Sequence, residues 1–136
     1  MAMYAVENQW GGNSAPWNPG GTWILGSRNN QALIAVNLVS NDGGETYDGA
    51  SSTINYIGEG PIGFKATSLG ENRYQTQNQW GGSDAPWHDG GVWTIGDRDS
   101  QKVTSFSATS QDGIMFSGTN VYTGEGPIGF RGTLIS

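Results

Sequence analysis

Two stretches of this chain are copies of one another, and that duplication limits the folds open to it. NQWGG stands at Asn8–Gly12 and again at Asn78–Gly82, an offset of 70 residues. The same offset lays Ala15-Pro16-Trp17 over Ala85-Pro86-Trp87, Gly20-Gly21 over Gly90-Gly91, Trp23 over Trp93, Arg28 over Arg98 and Gln31 over Gln101. Further on, GEGPIGF at Gly58–Phe64 recurs at Gly124–Phe130, now offset by 66, so the first unit carries four extra residues. The spacing places them around Asp48–Asn55, and an indel of that size belongs in a hairpin loop. A basic residue, Lys65 or Arg131, follows the motif in each unit. Repeat one therefore spans residues 1–69 and repeat two 70–136. Two copies are too few to close a propeller, and a stacked array needs about three for stability. The copies must share one core, and a chain of 136 residues fits one domain better than two.

Each unit reads as about five strands: Tyr4–Gln9, Gly21–Ser27, Ala32–Ser40, one arriving at Tyr56, and Ile62–Leu69, with counterparts in the second unit. The third strand alternates Ile34, Val36 and Leu38 on one face, matched by Thr104, Phe106 and Ala108. No window carries helical periodicity. The 23 glycines far exceed the usual share of about 7%, yet they come with six tryptophans and few charges, which favours short strands and tight turns over disorder. Ten short antiparallel strands are best buried by closing the sheet on itself, which also removes exposed edges. The expected architecture is all-β: a single compact ten-stranded antiparallel β-barrel with twofold symmetry.

Composition removes several functions. The absence of cysteine excludes disulfides, thiolate catalysis and cysteine metal cages. A net charge of −6 with only six basic residues is unsuited to nucleic acid, whose phosphates require clustered Lys and Arg, and to a basic membrane patch. The start, MAMYAVENQW, has neither a basic leader nor an apolar run, and no segment approaches a membrane span. A soluble chain is expected, cytoplasmic or released without a classical signal.

The chemistry concentrates in the repeated motifs. An indole offers a flat apolar face on which the C–H surface of a pyranose stacks while its hydroxyls stay free for polar partners. Flanking glycines leave such a ring uncrowded and let backbone N–H groups approach a ligand closely. Two readings of Trp10 and Trp80 stand side by side, exposed plates or core residues beside a turn. For Trp17, Trp23, Trp87 and Trp93, packing is the expectation, because they sit in strands or beside turns. In GEGP a carboxylate, Glu59 or Glu125, projects from a stiff turn and can accept two sugar hydroxyls through charge-assisted hydrogen bonds. Arg28 and Arg98 can hold vicinal hydroxyls and pair with the glutamates. Alone, either pair is an ordinary loop salt bridge. Recurring beside the same aromatic and glycine context in both units, the pairs read as binding groups.

These residues, NQWGG, the APW and GG after it, the lone arginine, DGG in the first unit and GEGPIGF closing each, resemble the Oscillatoria agardhii agglutinin family of bacterial and cyanobacterial lectins. The resemblance covers nearly the whole chain. It implies a ten-stranded barrel of two repeats that binds the branched mannose core of high-mannose glycans without metal or other cofactor. It also implies two sites, at one end of the barrel or at opposite ends, each assembled across the repeats. One would comprise Trp10, Gly11, Gly12, Arg98, Glu125 and Gly126, and its twin Trp80, Gly81, Gly82, Arg28, Glu59 and Gly60. The expected partners are high-mannose glycans and the glycoproteins that carry them, viral ones included, cross-linked by a bivalent monomer. The second unit reads QDGIMFSG where the first reads NDGGETYDG, so its DGG turn is incomplete and the two affinities need not be equal.

Two other classes stand against this reading. A glycoside hydrolase would use Glu59 and Glu125 as its acid and its nucleophile or base, which requires carboxyls about 5–10 Å apart in one cleft. Duplicated residues belong in separate places, and Asp97 and Asp99 beside Arg98 have Ser27 and Asn29 as counterparts, so no acid pair is repeated. A protein-interaction module would use the same loops. The single histidine, His88, with Asp84 and Asp89, reads as a polar turn rather than a metal site.

Overall fold

A computed structural model describes all 136 residues. They form eleven strand segments: β1 (Ala2–Gln9), β2 (Asn18–Leu25), β3 (Leu33–Val39), β4 (Thr46–Tyr47), β5 (Thr53–Tyr56), β6 (Ile62–Gly70), β7 (Arg73–Gln79), β8 (Trp87–Thr94), β9 (Val103–Thr109), β10 (Met115–Tyr122) and β11 (Ile128–Leu134). There is no helix, and hence none long and apolar enough to cross a membrane. β4 and β5 both pair with β6 and are two pieces of one interrupted strand, so the sheet closes as a ten-stranded antiparallel barrel.

The repeats interleave. Around the barrel, β6, β5 and β3 of repeat one are followed by β9, β10 and β11 of repeat two, then β1 and β2, then β8 and β7, which closes on β6. The first hairpin of each repeat is thus inserted into the other, and neither repeat can bury its own sheet alone. Where like strands meet, like residues meet. Asn37 opposes Ser107 between β3 and β9, and Ile24 opposes Thr94 between β2 and β8, each pair being 70 residues apart. A pseudo-twofold axis passes through these two points of the wall. It exchanges the two ends of the barrel.

Inward residues alternate along each strand, as Tyr4, Val6 and Asn8 do on β1, so one face of every strand is dry. All five tyrosines and all four phenylalanines are buried, with Trp23 and Trp93 at 0% and 1% exposure. Trp23 packs edge-on against Phe106 at 5.1 Å, and Phe64 lies 4.8 Å from Trp93. Buried tyrosine hydroxyls need partners, and they find backbone carbonyls: Tyr4 donates to Gly113, Tyr74 to Gly44, and Tyr47 to Val103, at 2.6–2.7 Å.

Three expectations are corrected. Ile34 and Thr104 do not face inward with Val36 and Phe106. Each is the extra residue of a β-bulge, seen as a register break between Leu33 and Ala35 and between Val121 and Tyr122, so Leu33 and Val103 take the buried place. The four extra residues of repeat one do not sit in a single hairpin loop. Gly44 and Gly113 are equivalent, since each accepts the matching tyrosine hydroxyl, and they are 69 apart rather than 70, so one extra residue lies before Gly44. Between Tyr47 and Thr53 repeat one has five residues where repeat two, between Phe116 and Thr119, has two, so the other three interrupt a strand. Asp48 organises this bulge by accepting from the backbone N–H of Ala50 and, through its carbonyl, from that of Ser52, both at 2.9 Å. Finally, Trp17 and Trp87 are not core residues. They are half-buried on the outer wall, where the Arg131 guanidinium stands 4.3 Å from the Trp17 ring and Lys65 4.4 Å from that of Trp87. Each indole lies across a glycine of GEGPIGF: a Cβ at Gly63 would meet Trp87 at 3.3 Å, and one at Gly129 would meet Trp17 at 3.4 Å.

Candidate sugar-binding site

NQWGG ends β1 and β7 and turns the chain out of the barrel. Its glutamine braces the turn: Gln9 Nε2 donates to the Ala15 carbonyl at 2.8 Å and Gln79 Nε2 to that of Ala85 at 2.7 Å. Both glycines hold positive φ, between +94° and +103° in the two copies, a region side chains disfavour. The backbone itself therefore demands Gly11, Gly12, Gly81 and Gly82. The turn leaves Trp10 and Trp80 51% and 47% exposed, so the plate reading of these two indoles holds and the core reading does not.

The charged half of the arrangement comes from two other loops. Arg98 Nη1 pairs with Glu125 Oε2 at 2.8 Å, and Arg28 Nη1 with Glu59 Oε2 at 2.6 Å. Neither arginine is left to wander. Arg28 lies 4.2 Å over the Tyr56 ring and Arg98 4.1 Å over that of Tyr122, and both tyrosines are anchored in the core. The Tyr56 hydroxyl accepts from the backbone N–H of Ser27 at 2.8 Å, and that of Tyr122 from the backbone N–H of Asp97 at 3.2 Å.

Sequence reading misses the residue that ties the set together. Gln31 accepts from Arg28 at 2.8 Å and donates to Glu59 Oε2 at 2.8 Å; Gln101 accepts from Arg98 at 3.2 Å and donates to Glu125 Oε2 at 2.9 Å. The same amides reach the carbonyls of Ile57 and Thr123. The signal is present in the register that lays Gln31 over Gln101, and lacks only a reason to read it as more than a loop residue. Gln31, first, and then Arg28 hold the Glu59 carboxyl below its ordinary 4.5. The result is a fixed carboxylate and guanidinium with their outer lone pairs and N–H groups turned to solvent, which is what vicinal hydroxyls require.

At one end of the barrel the indole meets the charged pair. Trp10, Arg98, Glu125 and Gly126 line one open depression of about 400 Å³ with Pro127 and Ile128. Gly11 and Gly12 line a second, neighbouring depression with Trp10. The contributions come from both repeats, because β1 lies beside β11. At the other end Trp80 follows β7 beside β6, in the equivalent position to Arg28, Glu59 and Gly60, but no depression of comparable size borders Trp80. His88, the counterpart of Asn18, lies over one face of that indole with ring centroids 4.1 Å apart and planes at 15°. His88 is therefore a stacking partner rather than a turn residue, and no three His, Asp or Glu side chains converge as a metal-binding group.

Two observations bear on what these ends do. Gly60 and Gly126 have no positive φ, and a Cβ added at either would meet no atom within 4 Å, so the fold makes no demand for glycine there, in contrast to Gly11 and Gly81. Bare backbone at those points faces open space. And Glu59 and Glu125 sit at opposite ends of the barrel, related by the pseudo-twofold axis, which corrects the hydrolase alternative: its two carboxyls never share a cleft.

Comparison with known proteins agrees with this geometry. The model of the OAA-family lectin sugar binding domain matches twice, at residues 2–69 and 72–135. Lectin OAA of Planktothrix agardhii is 55% identical over 98% of this chain and all of its own. The crystal structure of the Pseudomonas fluorescens agglutinin superposes with a TM-score of 0.94 at 58% identity, covering 98% of this chain and all of that one. The Myxococcus xanthus hemagglutinin, solved in complex with α3,α6-mannopentaose, superposes at 0.93 with 50% identity, over 97% of this chain but 49% of its own length. With two matched repeats and a shared barrel, the chain belongs to the OAA family of lectins, and is a sugar-binding protein rather than an enzyme.

Proposed function

We propose that this lectin recognises the branched mannose core of high-mannose N-glycans at two metal-independent sites on one β-barrel domain. One site is Trp10, Gly11, Gly12, Arg98, Glu125 and Gly126; the other is Trp80, Gly81, Gly82, Arg28, Glu59 and Gly60. The observation that carries the reading is the half-exposed Trp10 indole sharing a depression with the Gln101-braced Arg98–Glu125 pair. A related hemagglutinin of the same fold has been crystallised with a branched mannopentaose, which makes that sugar the first ligand to test.

A pyranose stacks its C–H face on the indole, Glu125 accepts two of its hydroxyls, Arg98 donates to a neighbouring one, and the bare backbone at Gly126 lets the ring come close. Each such contact is weak because water competes for every hydroxyl. Two sites at opposite ends of a rigid monomer bridge separate glycans, and avidity raises effective affinity by about 10²–10⁴. Agglutination follows, and so does binding to densely glycosylated proteins such as viral envelopes. Calorimetric titration with α3,α6-mannopentaose is expected to give two sugars per chain with or without a chelator. A stoichiometry of zero, or binding abolished by chelation, overturns the reading.

A further inference from the structure

Trp10 borders two depressions. One is the Arg98–Glu125 depression; a second, of about 450 Å³, runs along β10 between Trp10 and Trp17 and is lined also by Asn13, Ser117 and Thr119. Pro127 and Ile128 border both. Ser117 and Thr119 are exposed on the outer face of β10, which runs unbroken there. Aromatic faces combined with hydroxyl and amide groups on a shallow floor suit the mixed C–H and O–H surface of a sugar better than an apolar or anionic ligand.

The equivalent space at the other end is closed. The three-residue bulge that splits β4 from β5 falls where Ser117 and Gly118 stand in repeat two, and it folds over the outer wall. Gly49 lies so close to Trp87, the counterpart of Trp17, that a Cβ there would meet the indole at 3.0 Å and Lys65 at 3.3 Å. That obstruction is missing at the Trp10 end, where two residues replace five.

We propose that the channel between Trp10 and Trp17 is an extension subsite that takes a further hexopyranose unit of a glycan arm, so that the Trp10 site reads a larger oligosaccharide than the Trp80 site. This rests on the mannose reading above and adds an inequality that the duplication alone does not predict. A sugar seated against the Arg98–Glu125 pair presents its arm around the edge of the indole into the channel. There the Thr119 and Ser117 hydroxyls and the Asn13 amide replace water. Two or three such contacts correspond to a gain of about tenfold in affinity.

The test measures the affinity of mannopentaose and of a nine-mannose glycan for single-site variants. Trp80→Ala leaves the Trp10 site alone, and Trp10→Ala leaves the Trp80 site alone. The larger glycan offers more copies of the core epitope, but that statistical factor is common to both variants. The expected result is a preference for the larger glycan about tenfold greater in Trp80→Ala than in Trp10→Ala. Thr119→Tyr fills the channel from an exposed strand position that tolerates aromatic residues; added to Trp80→Ala, it is expected to remove the extra preference while leaving pentaose affinity unchanged. A further variant checks the same idea from the other end: shortening Asp48–Ser52 to Ser-Gly is expected to raise the preference at the Trp80 site. Pentaose binding at both sites with equal preference for the larger glycan overturns the subsite alone. Loss of pentaose binding from both single-site variants overturns the mannose reading and the subsite with it.

Discussion

His88 covers one face of Trp80 at 4.1 Å, whereas Asn18, in the same place of the first repeat, leaves Trp10 without a stacked ring. The pair orders an indole that otherwise stands half in solvent, and aromatic stacking of this kind contributes about 0.5–1.5 kcal/mol. His88→Ala is expected to free the Trp80 ring and weaken sugar binding at that site a few-fold, through the cost of ordering it on binding. The Trp10 site should not change. Titration of His88→Ala in the Trp10→Ala and Trp80→Ala backgrounds separates the two.

Glycine at Gly60 and Gly126 is unexplained by the fold, and that makes it a clean probe. Gly126→Ala and Gly60→Ala are expected to leave the melting temperature within about a degree of the parent, because the added methyl meets open space. Sugar affinity at the altered site should fall by an order of magnitude or so, since the methyl stands where the ring must approach. Gly129→Ala serves as the contrast: its Cβ would press on Gln9 at 3.3 Å and Trp17 at 3.4 Å, costing about 1–3 kcal/mol of stability. Equal melting losses for Gly126→Ala and Gly129→Ala would remove the distinction.

The glutamine clamp predicts a titration. Hydrogen bonding from Gln31 is the largest cause that holds the Glu59 carboxyl below 4.5, with Arg28 adding to it. Its folded value being depressed, the charged clamp is complete above the ordinary carboxylate range and is lost only as pH falls through the lowered value. Gln31→Ala is expected to move the Glu59 carboxyl signal up toward 4.5 by NMR titration and to weaken that site on the order of tenfold, with unchanged far-ultraviolet dichroism. A carboxyl that titrates identically in the variant would show the clamp to be incidental.

Trp10 and Trp23 predict opposite phenotypes from the same substitution. Trp23 is fully buried and donates through Nε1 to the Gly20 carbonyl at 3.0 Å, so Trp23→Ala is expected to cost about 3–5 kcal/mol of stability. Trp10→Ala should keep the fold and lose one of two bound sugars. Thermal melts and calorimetric stoichiometry on the two variants check both halves.

The buried tyrosines set an alkaline limit. Burial is the main cause that pushes the Tyr4 hydroxyl up to about 12, and it raises Tyr47, Tyr74 and Tyr122 above the ordinary 10 as well. The unfolded chain releases these protons near 10 and the folded one does not. Their contribution is therefore whole below about pH 10 and falls away as pH climbs toward the raised values. Denaturant midpoints are expected to hold from about pH 7 to about 9.5 and drop steeply by about pH 11, with tyrosinate absorbance appearing together with unfolding.

The duplication, the strand count and the Arg–Glu pairs are legible along the chain because each rests on local chemistry: turn glycines, alternation, and motifs repeated in register. Alternation misassigns Ile34 because a bulge is a register event between strands, and a single strand carries no mark of it. Trp17 and Trp87 pass for core because a tryptophan in a strand names no face; a flat indole on the outside becomes visible only when Gly63 and Gly129 are known to lie beneath. Gln31 escapes for a related reason. Its partners are 3 and 28 residues away, and an amide acquires a role only when both come within reach.

What the sequence by itself determined was the set of parts and their twofold repetition. What only the tertiary structure decided was their placement: a symmetry axis through Asn37–Ser107 and Ile24–Thr94 that sends the two Arg–Glu pairs to opposite ends, and a first hairpin exchanged between repeats so that each pair lies beside the indole of the other repeat. The inequality of the ends is tertiary too, since the bulge after Tyr47 and the imidazole of His88 act only on the indoles that folding lays beneath them. Strand pairing is non-local, and no stretch of residues encodes its partner.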